Sequence, residues 1–152
     1  MIDASAPVPE RLAKYYRDEG FTDDDITYKG DTSSDEITHH YWLIYFAHEI
    51  LGAEDPELDD LLKTAAKATM AHIIDNGYAL RECDGKPTTW AKWNQEYFHS
   101  MIGWSDACLN AAEVLMYLKV TMHVTGETGR WQEAYDALIA DGYAELTALH
   151  DQ

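Results

Sequence analysis

The segment Gly30-Asp-Thr-Ser-Ser-Asp-Glu-Ile-Thr-His-His40, followed directly by Tyr41-Trp-Leu-Ile-Tyr-Phe-Ala47, largely decides how this chain folds. Ser33 and Glu36 form the S-x-x-E pattern of a helical capping box, and Gly52 is a typical helix stop, so a helix is predicted over about 35–51. Residues 41–47 are apolar on every side of such a helix, so we expect it to be buried on most faces. The carboxylates and histidines before them would then lie at the edge of a core, where pockets form.

Three more long helices are predicted by apolar residues at helical spacing and by terminal signals, over about 56–76, 105–124 and 128–149. Ser105 and Asp106 are candidate caps for the third helix, and Gly142 is a weak point in the fourth. The short link at 125–128 predicts that the last two helices pack antiparallel. Asp84-Gly85 is a turn signal, which predicts a small β-hairpin or an ordered loop near 78–93.

These elements predict an all-α fold of antiparallel helical hairpins with one small β element. The chain has 152 residues, which suits a single helical domain over 1–152. Within it we expect a flexible segment at 1–9, a short helix and an acidic loop at 10–34, and the four main helices at 35–149. The alternation of heavily apolar and more amphipathic helices is typical of helical arrays.

Charge and composition exclude several classes of partner. The chain has 11 basic and 28 acidic residues and a net charge of −17, which argues against binding to nucleic acid or to anionic membrane surfaces. No apolar stretch reaches membrane-spanning length. No signal peptide is visible, so the cytoplasm is the default compartment unless the chain is part of a longer protein. Cys83 and Cys108 are too few for a disulfide scaffold.

Four stretches together resemble a known superfamily: Gly30–His40, Asp84–Trp90 with Trp93-Asn94, Leu109-Asn110-x-x-Glu113, and His123-x-Thr125-Gly126. They resemble a segment of the uncharacterised bacterial (α/α)-toroid, six-hairpin glycosidase-like proteins. The resemblance implies a ring of inner and outer helices whose loops line a carbohydrate-binding cleft, as in glycoside hydrolases, unsaturated uronyl hydrolases and polysaccharide lyases. A full ring has about twelve helices, so this chain would correspond to about two hairpins, as a fragment, an oligomer subunit or a reduced relative.

Four residues near the start of the first helix are the candidate catalytic groups: Asp31, Asp35, Glu36 and His40. Paired carboxylates divide acid and base roles when their surroundings separate their pKa values, and His40 lies one turn after Glu36 on the same face. Carboxylates also favour the first turn of a helix for structural reasons, and this alternative applies most strongly to Glu36. The same four residues could instead hold a divalent metal ion, although no metal motif is present and no cofactor is otherwise expected.

Aromatic and polar residues further along the chain are the candidate substrate-binding groups. Exposed indole rings stack on sugars, and lysines attract a uronate carboxylate; the alternative is that the aromatic residues fill the gap between helical hairpins. Polar residues on the third helix either line a cleft with Asp35 and His40 or form a structural network with the first helix. The candidates are Trp90, Trp93, Lys86, Asn110, Glu113 and Tyr117.

Motifs for nucleotide binding, serine hydrolases and zinc proteases are absent. The function that the sequence favours is therefore a carbohydrate-active domain, glycoside hydrolase-like or lyase-like, which acts on or binds a saccharide; whether it is an enzyme stays open. The alternative is a non-catalytic helical domain that binds a ligand or assembles with copies of itself.

Overall fold

The computed structural model describes residues 30–82 and 84–148, together with Lys14, Arg17, Asp18 and Gly20. Most of the predicted N-terminal segment, short helix and acidic loop, and also Cys83, lie outside the described residues. The described elements, in chain order, are α1 (Ser34–Leu51), α2 (Pro56–Asp75), β1 (Ala79–Arg81), β2 (Pro87–Lys92), α3 (Gln95–Phe98), a short 3-10 helix (Gly103–Ser105), α4 (Ala107–Thr125), α5 (Gly129–Ala140) and α6 (Tyr143–Leu146). The prediction of an all-α fold with a small hairpin is confirmed.

Helix α1 begins at the predicted capping box. The Ser33 N–H donates to Glu36 Oε2 at 2.8 Å, and the Glu36 N–H donates back to Ser33 Oγ at 3.4 Å. Helix α2 begins with Asp55 Oδ1 accepting from the Leu58 N–H at 3.0 Å, next to a proline in the first turn. These side chains satisfy backbone groups that would otherwise lack a partner at the helix ends.

The end of the chain departs from the prediction in two places. Helix α4 begins at Ala107 with Asp106 in the N-cap position, but neither predicted cap bonds to the helix through its side chain: Ser105 belongs to the 3-10 helix, and the Asp106 carboxylate accepts from the Tyr97 hydroxyl at 2.8 Å. The predicted fourth helix is two helices, because Gly142 adopts the left-handed conformation at φ 86° and separates α5 from α6.

The hairpin is a two-stranded antiparallel sheet. Ala79 pairs with Lys92 and Arg81 pairs with Pro87, with an irregularity in the register between them. Gly85 forms the tip with φ 84°, a conformation that the predicted Asp-Gly turn requires. The sheet contacts both α1 and α2, so it closes one end of the helical layer.

Helix α4 is the centre of the core, because it packs against α1, α2, α5 and α6. Ten of its nineteen residues are buried, whereas α1 buries four of eighteen. The Tyr41 and Tyr117 rings stack 4.5 Å apart across the α1–α4 contact, and the Trp93 ring meets Tyr117 edge-on at 5.6 Å. The hairpin segment thus contributes a tryptophan to the centre of the helical core.

The prediction that α1 is buried on most faces is wrong. Trp42, Leu43, Phe46 and Ile50 are 56%, 63%, 54% and 67% exposed. An apolar run is buried only where another element covers it, and α2 and α4 cover one side of α1. Among residues 30–82 and 84–148, no helix has both the length and the apolar character needed to cross a membrane.

Candidate functional site

A polar network joins the N-terminal half of α1 to α4. Asn110 accepts from the Ser34 hydroxyl at 3.3 Å and donates to the Lys92 carbonyl at 2.8 Å. Glu113 accepts from the Thr38 hydroxyl at 2.9 Å. The Tyr117 hydroxyl donates to the Ser34 carbonyl at 3.0 Å and lies 2.7 Å from Thr38 Oγ1. These contacts support the structural alternative for Asn110, Glu113 and Tyr117.

The Glu113 carboxyl is the electrostatic centre of this network. Its burial raises the pKa above the ordinary value, and the charge of Asp35 adds to that effect. Hydrogen bonds from Thr38 and from the Trp93 indole N–H, which lies 3.3 Å away, partly oppose the rise in pKa. Burial and the Glu113 charge also raise the pKa of Tyr117, so its hydroxyl stays neutral. Asp35 and Glu113 are therefore a carboxylate pair whose environments differ.

Two of the predicted catalytic carboxylates bind backbone groups instead. Asp31, at φ 56°, accepts from the Thr89 N–H at 2.6 Å and so ties the start of the described chain to β2. Glu36 completes the capping box. Asp35 and His40 are exposed on α1. Among the described residues, Asp31, Asp35, Glu36 and His40 do not place three ligand atoms within 4.8 Å of one another, and a metal site at these four residues stays a prediction.

The predicted sugar-stacking residues separate into buried and exposed ones. Trp93 is 0% exposed and offers no ring face to a ligand, so it fills the gap between hairpins, as the structural alternative predicts. Trp90 is 46% exposed on the hairpin. Lys86 bonds to the Asp84 carboxylate at 2.7 Å at the tip of the hairpin. Of this set, Trp90 alone presents an accessible aromatic surface.

A groove of about 690 Å³ runs between the hairpin and the segment that carries α3. Two cations, Arg81 and Lys92, line it together with one acid, Glu96. The rest of the lining combines amide, hydroxyl and backbone groups with the apolar side chains of Ala79, Pro87 and Ile102, and the Tyr97 ring lies at one side. Its volume lies within the range typical of small-molecule sites, about 300–1,000 Å³.

Several groove residues are held in place by the fold. The Asn94 side chain donates to the Gly77 carbonyl at 3.0 Å and accepts from the Tyr97 N–H at 2.9 Å. Lys92 Nζ lies 5.6 Å from the centre of the Tyr97 ring, a cation–π distance. Burial and the bond to Asp106 raise the pKa of Tyr97 to about 12, so its hydroxyl remains a neutral donor.

A second cluster lies at the opposite end of α1. The ligand atoms of His48, Glu49 and His123 all lie within 4.8 Å of one another. His123 Nε2 is 2.7 Å from Glu49 Oε1, and His48 Nδ1 is 2.5 Å from the carboxylate of Asp59. Sequence spacing does not reveal this group, because His123 is 74 residues from Glu49 and only the packing of α1 on α4 brings them together.

The exposed side of α1 continues onto α4 as an apolar face, which we define by Trp42, Tyr45, Phe46, Met116 and Val120. These five residues line a shallow cleft of about 290 Å³. In a chain with 28 acidic residues, the α1 part of this face contains no carboxylate, since none occurs between positions 36 and 49. An apolar run such as 41–47 predicts burial in the core, so this exposed face is not expected from the sequence.

Comparison of the chain with protein-family models, with curated proteins and with solved structures finds no significant match in any of the three. The geometry of the groove, the polar network and the apolar face is therefore the basis for the functional proposals.

Proposed function

We propose that this chain is a saccharide-binding domain whose ligand lies in the groove between the hairpin and the α3 segment. The observation that carries the proposal is the groove itself, about 690 Å³ in volume and lined by hydroxyl, amide and charged groups beside apolar side chains and an aromatic ring. Sugar hydroxyls both donate and accept hydrogen bonds, so a lining of this mixed character suits them. The toroid resemblance, which implies a carbohydrate-binding cleft, points to the same class of ligand.

The charges of the lining favour an anionic sugar such as a uronate. Arg81 and Lys92 are two of only 11 basic residues in the chain, and both lie in the groove with one acid, Glu96. A carboxylate ligand gains charge-assisted hydrogen bonds from such groups, which are roughly twice as strong as neutral ones. Arg81 donates to the Gly85 carbonyl at 2.7 Å, so its guanidinium is already oriented by the hairpin.

Binding is better supported than hydrolysis or elimination. Asp31 and Glu36 accept hydrogen bonds from backbone N–H groups, which supports a structural role for both. Asp35 and His40 remain exposed on α1 as the proposed acid or base and its assistant, whereas Glu113 is buried in the α1–α4 network. None of these three residues lines the groove in which we place the saccharide.

Calorimetric titration with oligogalacturonate and with a neutral oligosaccharide of equal length tests the proposal. We expect binding of the uronate ligand, and we expect Lys92→Gln to weaken it about tenfold or more, since a hydrogen bond to a charged group contributes about 1.5–3 kcal/mol. Lys119→Gln is the matched control, because it removes the same charge from an exposed lysine over Tyr135 outside the groove. Absence of binding to both saccharides, or equal weakening by both variants, would reject the proposal.

The apolar face supports a second candidate function, self-assembly, with a second copy of this chain as the occupant. Two copies can meet through the α1 part of this face without bringing carboxylates together there, despite the net charge of −17. Exposed contiguous apolar surface of this kind marks interaction sites. An oligomer would also supply the further helices that a ring of the resembled type contains.

Light scattering on a sizing column tests this second candidate. We expect the wild-type chain to be a dimer or larger and Phe46→Glu to be a monomer. Leu61→Glu is the matched control, because Leu61 is 62% exposed on α2 and does not line the apolar face. A wild-type chain that stays monomeric at every concentration would exclude self-assembly through this face.

A further inference from the structure

The C-terminal ends of α1 and α4 bring together two imidazoles and a carboxylate. His48 and Glu49 lie in the last turn of α1, and His123 lies in the last turn of α4. Their ligand atoms are all within 4.8 Å of one another, and the rings of the two histidines meet edge-on with centres 5.8 Å apart. Tetrahedral ligands at about 2.0–2.1 Å from a zinc ion lie roughly 3.3 Å from each other, so small side-chain rotations would complete such a site.

A carboxylate orients the ring of His48, as in most metal-binding histidines. Its Nδ1 lies 2.5 Å from Asp59 Oδ1, and the Asp59 side chain is 12% exposed and also paired with Lys63 at 2.6 Å. A carboxylate that accepts from Nδ1–H fixes the ring tautomer and leaves the Nε2 lone pair available to a metal. Gly52 makes room for this contact, because a Cβ there would lie 2.8 Å from Asp59 Oδ1.

The Glu49 carboxylate and the His123 ring are already in contact. His123 Nε2 lies 2.7 Å from Glu49 Oε1, which is the distance of a hydrogen bond whose proton a cation would replace. The side chains of His48, Glu49 and His123 are 22%, 43% and 52% exposed, so an ion would have direct access from solvent. Three protein ligands leave a fourth position for water.

We propose that His48, Glu49 and His123 form a site for a divalent transition-metal ion of the Zn²⁺ type, with Asp59 as the residue that orients His48. Two imidazoles and one carboxylate suit zinc and its neighbours in the first transition row, whereas Mg²⁺ and Ca²⁺ prefer oxygen ligands alone. The set of two histidines and a glutamate is also the ligand set of open zinc sites that keep a water. This proposal is independent of saccharide binding in the groove, which lies among residues of the hairpin and the α3 segment.

Calorimetric titration of the metal-free chain with Zn²⁺, together with the absorption spectrum of the Co²⁺ form, tests the proposal. We expect one ion per chain, a Co²⁺ spectrum typical of four-coordinate geometry, and a rise in Tm that EDTA reverses. Glu49→Gln and His123→Ala should each abolish or greatly weaken the binding, and both residues are exposed, so the fold should survive. Asp59→Asn should weaken binding about 10–100-fold while leaving the three ligands present.

His99→Ala is the matched control, because it removes an exposed histidine outside the cluster. This variant should bind Zn²⁺ as the wild type does. Zinc binding that Glu49→Gln and His123→Ala leave unchanged would mean adventitious surface binding and would overturn the proposal. A wild-type chain that shows neither heat with Zn²⁺ nor a four-coordinate Co²⁺ spectrum would overturn it as well.

Discussion

Removal of one hydroxyl group, in the variant Tyr117→Phe, tests whether the polar network is structural. The ring of Tyr117 stacks on Tyr41 at 4.5 Å and meets Trp93 edge-on at 5.6 Å, and phenylalanine keeps both contacts. The variant loses only the bond to the Ser34 carbonyl at 3.0 Å and the contact with Thr38 Oγ1 at 2.7 Å. Its effect therefore isolates the contribution of one buried hydroxyl.

The expected loss of stability follows from the hydrogen bonds that the Tyr117 hydroxyl makes. The Ser34 carbonyl keeps its intrahelical donor, the Thr38 N–H, so the variant removes one additional hydrogen bond, which contributes about 0.5–1.5 kcal/mol and for a chain of this length lowers Tm by about 1–6 °C. Chemical denaturation followed by circular dichroism measures the free energy of unfolding directly. Tyr135→Phe serves as the control, because in the described part of the chain the Tyr135 ring contacts Lys119 and its hydroxyl has no hydrogen bond. This change should cost less than about 0.5 kcal/mol.

A double-mutant cycle with Thr38→Val sharpens the test. The two side chains touch directly, so the energetic effects of the two changes should be non-additive by about 0.5 kcal/mol or more. If Tyr117→Phe unfolds at the wild-type denaturant concentration, or if the two changes add without coupling, the network does not stabilise the α1–α4 contact as described.

Three further changes have defined outcomes. Glu113→Gln should gain stability relative to wild type as pH rises above 4.5, the ordinary pKa of a glutamate. The pKa of Glu113 is higher in the folded than in the unfolded chain, so the wild type loses stability as pH rises from the unfolded-state pKa to the folded-state pKa, whereas glutamine does not titrate. Denaturant titrations across that pH range measure the difference. Trp93→Ala should lower the free energy of unfolding by about 3–5 kcal/mol in the same assay, because the ring is fully buried. Trp90→Ala should lower it far less, and equal losses of stability in the two variants would contradict the burial assigned to the two rings. Gly52→Ala should cost about 1–3 kcal/mol, because its Cβ would lie 2.6 Å from the His48 carbonyl oxygen and 2.8 Å from Asp59 Oδ1. An unchanged Tm would contradict this packing.

The proton count of the network explains why glutamine should be accepted at position 113. The contacts Glu113–Thr38, Thr38–Tyr117 and Tyr117–Ser34 need three protons for three bonds, and the two hydroxyl groups supply two. While Glu113 is ionised only two of the three contacts can hold a proton, and protonation of Glu113 supplies the third, which is the direction in which burial shifts its pKa. A glutamine amide N–H supplies the same proton at every pH, so Glu113→Gln should keep all three bonds.

Local signals predicted most of the secondary structure. Three of these signals involve only residues that are close together in the sequence: the Ser33–Glu36 capping box, Pro56 in a first turn and the Asp84-Gly85 turn. Such short-range hydrogen bonds and backbone preferences are encoded directly in the sequence. The start of α4 was harder to predict, because Asp106 bonds to Tyr97 rather than to its own helix, and that partner is set by tertiary packing.

Burial and long-range proximity were much less predictable. Trp42 and Trp93 are equally apolar in sequence, yet one is 56% exposed and the other 0%, because exposure depends on which face of a helix or strand another element covers. Likewise Glu49 and His123 meet only because α1 and α4 pack side by side. A single sequence gives the spacing within a helix but not the register between two helices, so the groove and the histidine cluster required the structure.

Mapping of backbone amide chemical shifts during a titration with oligogalacturonate tests the central claim most directly. If the groove binds an anionic saccharide, shifts should concentrate among residues 76–102, with Lys92 and Asn94 among the largest changes, and Lys92→Gln should reduce them. Shifts that fall mainly on the apolar face of α1 and α4, or no shifts at saturating saccharide, would contradict the assignment of the groove as the saccharide site.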